Sequence, residues 1–217
     1  MKTKNLILTL TLSLFTVVVF AQGVITGSSH DFSALSWNNE SSGEICNACH
    51  TPHNATVIST APLWDRVTVF NTGATWTSYS SDTFNADDDG TGSGGTGTAY
   101  VPGDPTGVSL LCLTCHDGVT PLDNSGTDTG TVILGDFIKN GGTDDHPISI
   151  DYTDELISAD GGLNTAVAAA ALLSAQGTVE CSSCHDVHNN GPGGVAGTGL
   201  YAMDNAGSQM CLVCHAK

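Results

Sequence analysis

The longest apolar stretch of the chain lies at its N-terminus. Lys2 and Lys4 precede a run of apolar and Ser/Thr residues at 6–20. A positively charged start, a short apolar run and a small residue at its end form the pattern of a secretory signal peptide. A transmembrane anchor is the alternative, but it needs about 20 apolar residues. We therefore expect residues 1–21 to be a signal peptide and the mature chain, 22–217, to be secreted.

The rest of the chain shows little helical or strand periodicity. One helix is predicted at 166–173, with Asp160 or Asn164 as the N-cap and Gly177 as the stop. Residues 68–79 are rich in Val, Phe, Thr, Trp and Tyr, which predicts a short strand or hairpin. Most of the mature chain is therefore expected to be irregular, in a single domain.

Residues 82–107 are rich in Gly and Asp and predict a long polar surface loop. Within it, Asn85, Asp87 and Asp89 match the first half of a calcium-binding loop. The twelfth position is Thr96, whereas an EF-hand has a bidentate Glu there. A solvated acidic turn is the favoured interpretation, and calcium bound by these three candidate ligands is the alternative.

The charge balance is strongly acidic. Five Lys and Arg stand against 22 Asp and Glu, for a formal net charge of −17. Phosphate binding needs a basic surface, so nucleic acid is excluded as a partner. Anionic membrane surfaces are disfavoured for the same reason. The charge suits cationic or mineral partners, although solubility alone also explains it.

The eight cysteines form four Cys-x-x-Cys pairs, and a histidine follows each pair. We call them motif 1 (46–50), motif 2 (112–116), motif 3 (181–185) and motif 4 (211–215). Cys-x-x-Cys-His is the attachment signature of haem c. Disulfides, zinc sites and thioredoxin-like pairs also use paired cysteines, but none requires the histidine. We predict thioether bonds from Cys46, Cys49, Cys112, Cys115, Cys181, Cys184, Cys211 and Cys214, and proximal iron ligation by His50, His116, His185 and His215.

The number of remaining histidines equals the number of predicted haems. Four irons need four distal ligands, and four histidines lie outside the motifs. Met203 is a rival ligand, whereas Met210 adjoins Cys211 and is poorly placed for its own haem. Irons with two imidazoles keep no open position for a substrate, which favours electron transfer over catalysis. The predicted distal ligands are His30, His53, His146 and His188.

The spacing of two spare histidines restricts which haem each can serve. His53 lies three residues after His50, and His188 lies three residues after His185. So short a link cannot pass around a porphyrin edge to the opposite face. Each must therefore bind a different haem from the one that its neighbour holds, which links two haems at close range.

Long segments flank the other two spare histidines. As working hypotheses, we assign His30 to motif 1 and His146 to motif 2 or motif 3. Spacing alone does not restrict either histidine further.

The chain resembles multihaem cytochromes of the doubled Cys-x-x-Cys-His type. The similar segments are 27–33, 46–54, 110–118, 145–148 and 181–189. Within that group, it is similar to tetrahaem extracellular cytochromes that polymerise into conductive filaments, often called cytochrome nanowires. The resemblance implies a continuous haem chain and a distal histidine donated to the next subunit. That donor would be His53, with the motif 4 haem of the next copy as its target.

The expected fold is mostly irregular and loop-rich, with a few short α-helices, wrapped as one domain around four covalently attached haems. The expected function is electron transfer in an extracellular filament, with the chain itself, redox proteins or mineral acceptors as partners. A soluble periplasmic shuttle is the alternative, and a subunit of a membrane complex stays open. Enzymatic activity is not expected, because every motif keeps its histidine. Asn39 and Asn54 fit the N-glycosylation pattern.

Overall fold

The computed structural model describes residues 25–35, 38, 44–66, 79, 84, 86, 105, 107–118, 120–122, 143, 145–188 and 200–216. Within these residues the chain is loop-rich, with five short α-helices, one 3-10 turn and one two-stranded sheet. The predicted loop-rich class with few short helices is therefore confirmed. All four motifs and all eight histidines lie in the described part of the chain.

Several predictions fall outside the described residues. They are the signal peptide at 1–21, the calcium candidates Asn85, Asp87 and Asp89, and nearly all of the predicted strand at 68–79. These stay predictions. In the part of the chain that is described, no helix combines the length and the apolar character needed to cross a membrane.

The secondary-structure elements are short and lie mainly in the second half of the chain. In chain order they are α1 (Gly107–His116), β1 (Ile150–Asp151), α2 (Asp154–Asp160), α3 (Ala166–Ala169), β2 (Thr178–Val179), α4 (Cys181–Cys184), a 3-10 turn (Ala206–Ser208) and α5 (Gln209–Cys214). β1 and β2 are antiparallel, with Ile150 opposite Val179 and Asp151 opposite Thr178. Helix α1 packs against α4, and α3 packs against α5. Both packed pairs include motif residues.

The helix predicted at 166–173 begins at Ala166 as predicted, but it ends at Ala169 and its N-cap is not one of the predicted residues. α3 begins after Thr165, whose hydroxyl accepts from the N–H of Ala168 at 3.3 Å. Asp160 instead accepts from the N–H of Gly162 at 2.9 Å. Asn164 donates its side-chain amide to the carbonyl of Leu212 at 2.9 Å. Thr165 is the N-cap because both predicted capping side chains are bonded elsewhere.

The buried apolar side chains form two small clusters among the described residues. The first joins Ala86, Ile150 and Leu156. The second joins Ala61, Trp64 and Leu111, and so packs the segment after motif 1 against helix α1 of motif 2. The second cluster is therefore what brings the first two motifs together.

Candidate haem-binding site

Each motif lies on a single helical turn. The N–H of His50 donates to the carbonyl of Cys46 at 2.9 Å, and His185 and His215 make the same bond to the first cysteine of their motifs, at 3.0 and 2.9 Å. Motif 2 forms the end of α1. All four cysteine pairs therefore have helical backbone. A turn of this kind brings cysteines three apart to one side of the backbone. It therefore presents two thiols together.

The eight thiols are free in the structure. The described residues hold no cluster of three or more His, Cys, Asp or Glu side chains that could bind a metal ion by themselves.

Three of the four spare histidines lie opposite a motif histidine. The distances between ring centroids are 6.0 Å for His30 and His116, 6.1 Å for His188 and His50, and 6.3 Å for His146 and His215. A metal–imidazole bond is about 2.0 Å, and a ring nitrogen lies about 1.1 Å from the ring centroid. Two imidazoles on opposite sides of one iron would therefore have centroids about 6.2 Å apart. Each of the three gaps has room for one iron between the rings.

Two of the three facing pairs differ from the working assignments of His30 and His146. His30 faces motif 2 rather than motif 1, and His146 faces motif 4 rather than motif 2 or 3. His188 faces the histidine of motif 1, which agrees with the argument that it cannot share a haem with its neighbour. His53 is exposed, and no described motif histidine lies opposite its ring. Among the described residues, His53 is thus the spare histidine without a motif histidine opposite it.

Hydrogen bonds and burial keep several imidazoles suited to metal binding. Nδ1 of His50 lies 2.6 Å from the carbonyl oxygen of Pro62, and Nδ1 of His146 lies 2.8 Å from that of Pro147. We assign the proton to Nδ1 in both rings, because only an N–H can donate to a carbonyl. That assignment leaves Nε2 of each ring free as a ligand.

Burial also affects the protonation of one facing pair. Burial, with smaller effects of the nearby His30 and His185, lowers the pKa of His116 to about 4. Burial likewise lowers the pKa of His30, again with His185 adding to the effect. Both rings are therefore neutral at neutral pH, the state in which an imidazole binds a metal.

An antiparallel backbone bridge holds the histidine of three motifs. In each, the residue after the histidine donates its N–H to a second segment, and the second cysteine accepts from that segment, at 2.7–2.9 Å. The residue opposite the histidine is Trp64 in motif 1, Tyr201 in motif 3 and Leu163 in motif 4. Since the backbone is bonded on both sides of the histidine, the direction of its ring is restricted.

Motifs 1 and 3 belong to two equivalent units, which we call unit A (46–65) and unit B (181–202). In both, the bridge contains a leucine at positive φ, Leu63 at 54° and Leu200 at 49°. In both, an aromatic ring follows that leucine and lies about 6 Å from the motif histidine, at 6.0 Å for Trp64 and 5.9 Å for Tyr201. The units therefore repeat in backbone as well as in motif.

A buried carboxylate joins motif 2 to motif 3. Glu180 is 2% exposed and accepts from the N–H of Ser109 at 3.3 Å and from its hydroxyl. The N–H of Cys181 donates to the same hydroxyl at 2.9 Å. The thiols of Cys112 and Cys181 are also hydrogen-bonded, which raises the pKa of Cys112 and lowers that of Cys181. The first cysteines of motifs 2 and 3 therefore lie side by side.

Contacts of other kinds join the remaining neighbours. Arg66 follows unit A and donates to the carbonyls of Pro121, at 3.2 Å, and Leu122, both just after motif 2. Between motifs 3 and 4, burial raises the pKa of Cys184, and the nearby thiols of motif 4 raise it further. The four motifs therefore lie next to one another in chain order.

Replacement of Gly107 by alanine tests the contact that Glu180 makes between motif 2 and motif 3. A Cβ on Gly107 would lie 2.8 Å from Oε1 of Glu180, and Gly107 has φ +56°. That oxygen cannot move freely, because it also accepts from the hydroxyl of Thr178 at 2.8 Å. We expect Gly107→Ala to destabilise the protein by about 1–2 kcal/mol through backbone strain and by about 1–3 kcal/mol more through the disturbed carboxylate.

Gly118→Ala is the matched control for Gly107→Ala. Gly118 has φ +74°, but nothing lies within 4 Å of a Cβ built there. Only the backbone strain should therefore appear, and the loss in thermal unfolding temperature should be smaller than for Gly107→Ala. Equal losses in the two variants would show that the contact with Glu180 contributes nothing.

Sequence reasoning missed Arg66, Glu180 and the two ring neighbours Trp64 and Tyr201. Burial of the first two depends on contacts more than 50 residues away in sequence. A signal for the aromatic residues was present, since a Leu–aromatic pair follows both Cys-x-x-Cys-His-x-x-His-Asn segments. Comparison of the two segments would have revealed the repeated unit. No known family model matches the chain, and no curated protein matches it either.

Proposed function

We propose that the chain attaches four haem c groups covalently and transfers electrons as the subunit of an extracellular filament. The observation that supports this most strongly is the spacing of 6.0–6.3 Å between three spare imidazoles and three motif imidazoles. That spacing suits one iron in each gap. When bound, haem supplies an iron that gains and loses one electron.

The cysteines, the motif histidines and the facing histidines would each have a different role in holding haem. The two cysteines of each motif would hold a porphyrin by thioether bonds, and the motif histidine would be one ligand of its iron. The facing histidines, such as His30 opposite His116, would supply the second ligand. An iron bound by two imidazoles would have no vacant coordination site for a small molecule. This supports electron transfer rather than catalysis.

The order of the motifs supports a row of closely spaced redox groups. Motif 2 contacts motif 3 through Ser109 and Glu180, and Arg66 connects motif 1 to motif 2. Cys46 and Cys211, in the first and last motifs, are exposed, whereas the cysteines of motifs 2 and 3 are half-buried. Both ends of the row therefore reach the surface, where electrons can enter and leave.

The apolar surface at the motifs suits bound porphyrins. Leu63, Tyr201 and Leu212 lie within or beside the motifs, and they are 54%, 39% and 45% exposed. Among the described residues, the two buried clusters hold three residues each. Four porphyrins would cover the exposed side chains at the motifs and add apolar surface to the core.

The two repeated units support polymerisation. His188 of unit B faces His50 of unit A within one chain. Its equivalent in unit A is His53, which is exposed. If His53 faces unit B of a second copy in the equivalent way, each copy contacts the next head to tail. Such heterologous contacts generate open filaments when they do not close into a ring.

The unit equivalence also changes the proposed target of His53. The resemblance to nanowire cytochromes suggested the motif 4 haem of the next copy, but His146 already faces His215 of motif 4. Since His53 and His188 occupy equivalent positions, the equivalent target is the haem of motif 3. We therefore propose motif 3 of the neighbouring copy as the acceptor of His53.

Negative-stain electron microscopy of the secreted, haem-loaded protein tests the filament directly. Thin filaments of uniform width are expected. Discrete particles of the size of one chain would instead support the soluble periplasmic shuttle. Resonance spectra of the same sample test the ligation, since irons with two imidazoles are low-spin. A high-spin iron signal in assembled filaments would contradict the proposed ligand set.

A further inference from the structure

Two buried charged side chains flank motif 2 on opposite sides. Arg66 is 8% exposed and Glu180 is 2% exposed. In the described part of the chain, Arg66 is the only lysine or arginine. Neither side chain belongs to a motif or to the set of facing histidines. Burial of an ion costs several kcal/mol unless other groups compensate, so each needs an explanation.

The guanidinium of Arg66 lies between motif 1 and motif 2. Its two Nη atoms donate to the carbonyls of Pro121, at 3.2 Å, and Leu122. Its Nε is buried and has no hydrogen-bond partner. The preceding residue, Asp65, donates its N–H to the carbonyl of Cys49 at 2.9 Å. Carbonyl partners are neutral, so the positive charge of Arg66 acts on both motifs.

The carboxylate of Glu180 lies between motif 2 and motif 3. Besides Ser109, the hydroxyl of Thr178 donates to it at 2.8 Å and that of Ser149 at 3.4 Å. All of these donors are neutral, so none of them cancels the charge of the carboxylate. Glu180 directly precedes Cys181, the first cysteine of motif 3. Its charge therefore acts mainly on motif 3 and on the start of motif 2.

We propose that Arg66 and Glu180 set a gradient of electrostatic potential along the row of motifs, which we call the electrostatic slope. Arg66 raises the reduction potential of the haem on motif 1, and Glu180 lowers that of the haem on motif 3. Oxidation adds one positive charge to a haem, which a nearby anion stabilises and a nearby cation disfavours. An electron lost by the iron of motif 3 is then gained by the iron of motif 1, with no proton transferred and no bond broken.

Two other carboxylates near motifs 1 and 2 modify this slope. Asp117 is buried, directly follows His116 and accepts from the N–H of Thr120 at 2.7 Å and from its hydroxyl at 2.5 Å. Its charge offsets that of Arg66 at motif 2. Asp65 is exposed, so water and salt screen it. The largest difference in potential is therefore expected between motifs 1 and 3.

Two substitutions that remove charges of opposite sign provide the test. Arg66→Gln keeps an amide that can donate to the two carbonyls, and Glu180→Gln keeps the shape of the carboxylate. Redox titration of the haem-loaded protein should show potentials shifted downward in Arg66→Gln and upward in Glu180→Gln. Arg66→Lys keeps the charge and Glu155→Gln removes an exposed carboxylate on α2, so both controls should stay near the wild type.

This inference rests on the proposed haem attachment but not on polymerisation. Haem content is therefore measured first, and a wild-type chain with fewer than four haems would refute the proposed function itself. Four haems with unchanged potentials, or with shifts of the same sign in both variants, would overturn only the electrostatic slope. If one variant loses a haem, the direction of the shift in reduction potential in the other variant tests the electrostatic slope. Loss of haem from both would show that the charges serve assembly, which also overturns the slope.

Discussion

Replacement of His53 by alanine is expected to abolish filaments while the chain still attaches four haems. His53 is exposed and faces no described motif histidine in its own chain. Removal of its imidazole therefore leaves the three facing pairs within the chain intact. In the proposed filament, however, one iron of each neighbouring copy loses its second imidazole. Electron microscopy should show discrete particles in place of filaments, and resonance spectra should show one high-spin iron per chain.

Two controls separate this effect from general damage. Val57→Ala changes a fully exposed side chain, 100% accessible, four residues further along the same unit, and it should form normal filaments. His188→Ala removes the equivalent histidine that faces His50 within the chain. It should affect the iron of motif 1 even in a dispersed chain. Filaments of normal length from His53→Ala would refute the proposed role of His53.

Without haem, the chain is expected to lose its cooperative fold. Each buried cluster among the described residues has only three members. Leu63 and Leu212, at motifs 1 and 4, stay 54% and 45% exposed in the polypeptide alone. Porphyrins that cover such side chains would contribute to folding, so a chain without them would lose that stabilisation. Urea titration of chain produced without haem attachment, followed by circular dichroism, should show no sigmoidal transition.

The haem-loaded chain serves as the control in the same titration and should unfold in a clear transition. Amide hydrogen exchange adds a local test, because the bridge N–H groups at Asp65 and Ala202 should be protected only when haem is attached. A haem-free chain with a cooperative transition and a free energy of unfolding above about 5 kcal/mol would show that the polypeptide needs no cofactor core.

The helical turns of the motifs follow from sequence because a Cys-x-x-Cys-His motif is local. A thiol pair and a histidine on one helical turn are defined within five residues, and the turns at motifs 1, 3 and 4 have the expected backbone bonds. The separation of His188 from its own motif also followed from a short link. The structure brings His188 to His50 instead.

The combinations of His30 and His146 could not be predicted in the same way. Long segments precede and follow both residues, so spacing permits several haems. Tertiary contacts decide instead, as where Trp64 and Leu111 pack motif 1 against motif 2. The buried position of Glu180 could not be predicted for a similar reason. Its main partner, Ser109, lies 71 residues away in sequence.

The central claim is that four haems are bound covalently, one at each Cys-x-x-Cys-His motif. Intact mass spectrometry of the secreted protein under denaturing conditions, combined with a haem assay after acid–solvent extraction, tests it most directly. Four haems should stay attached to each chain, and all eight thiols should resist alkylation. Haem that extracts completely, or eight thiols that react with the alkylating reagent, would contradict the claim.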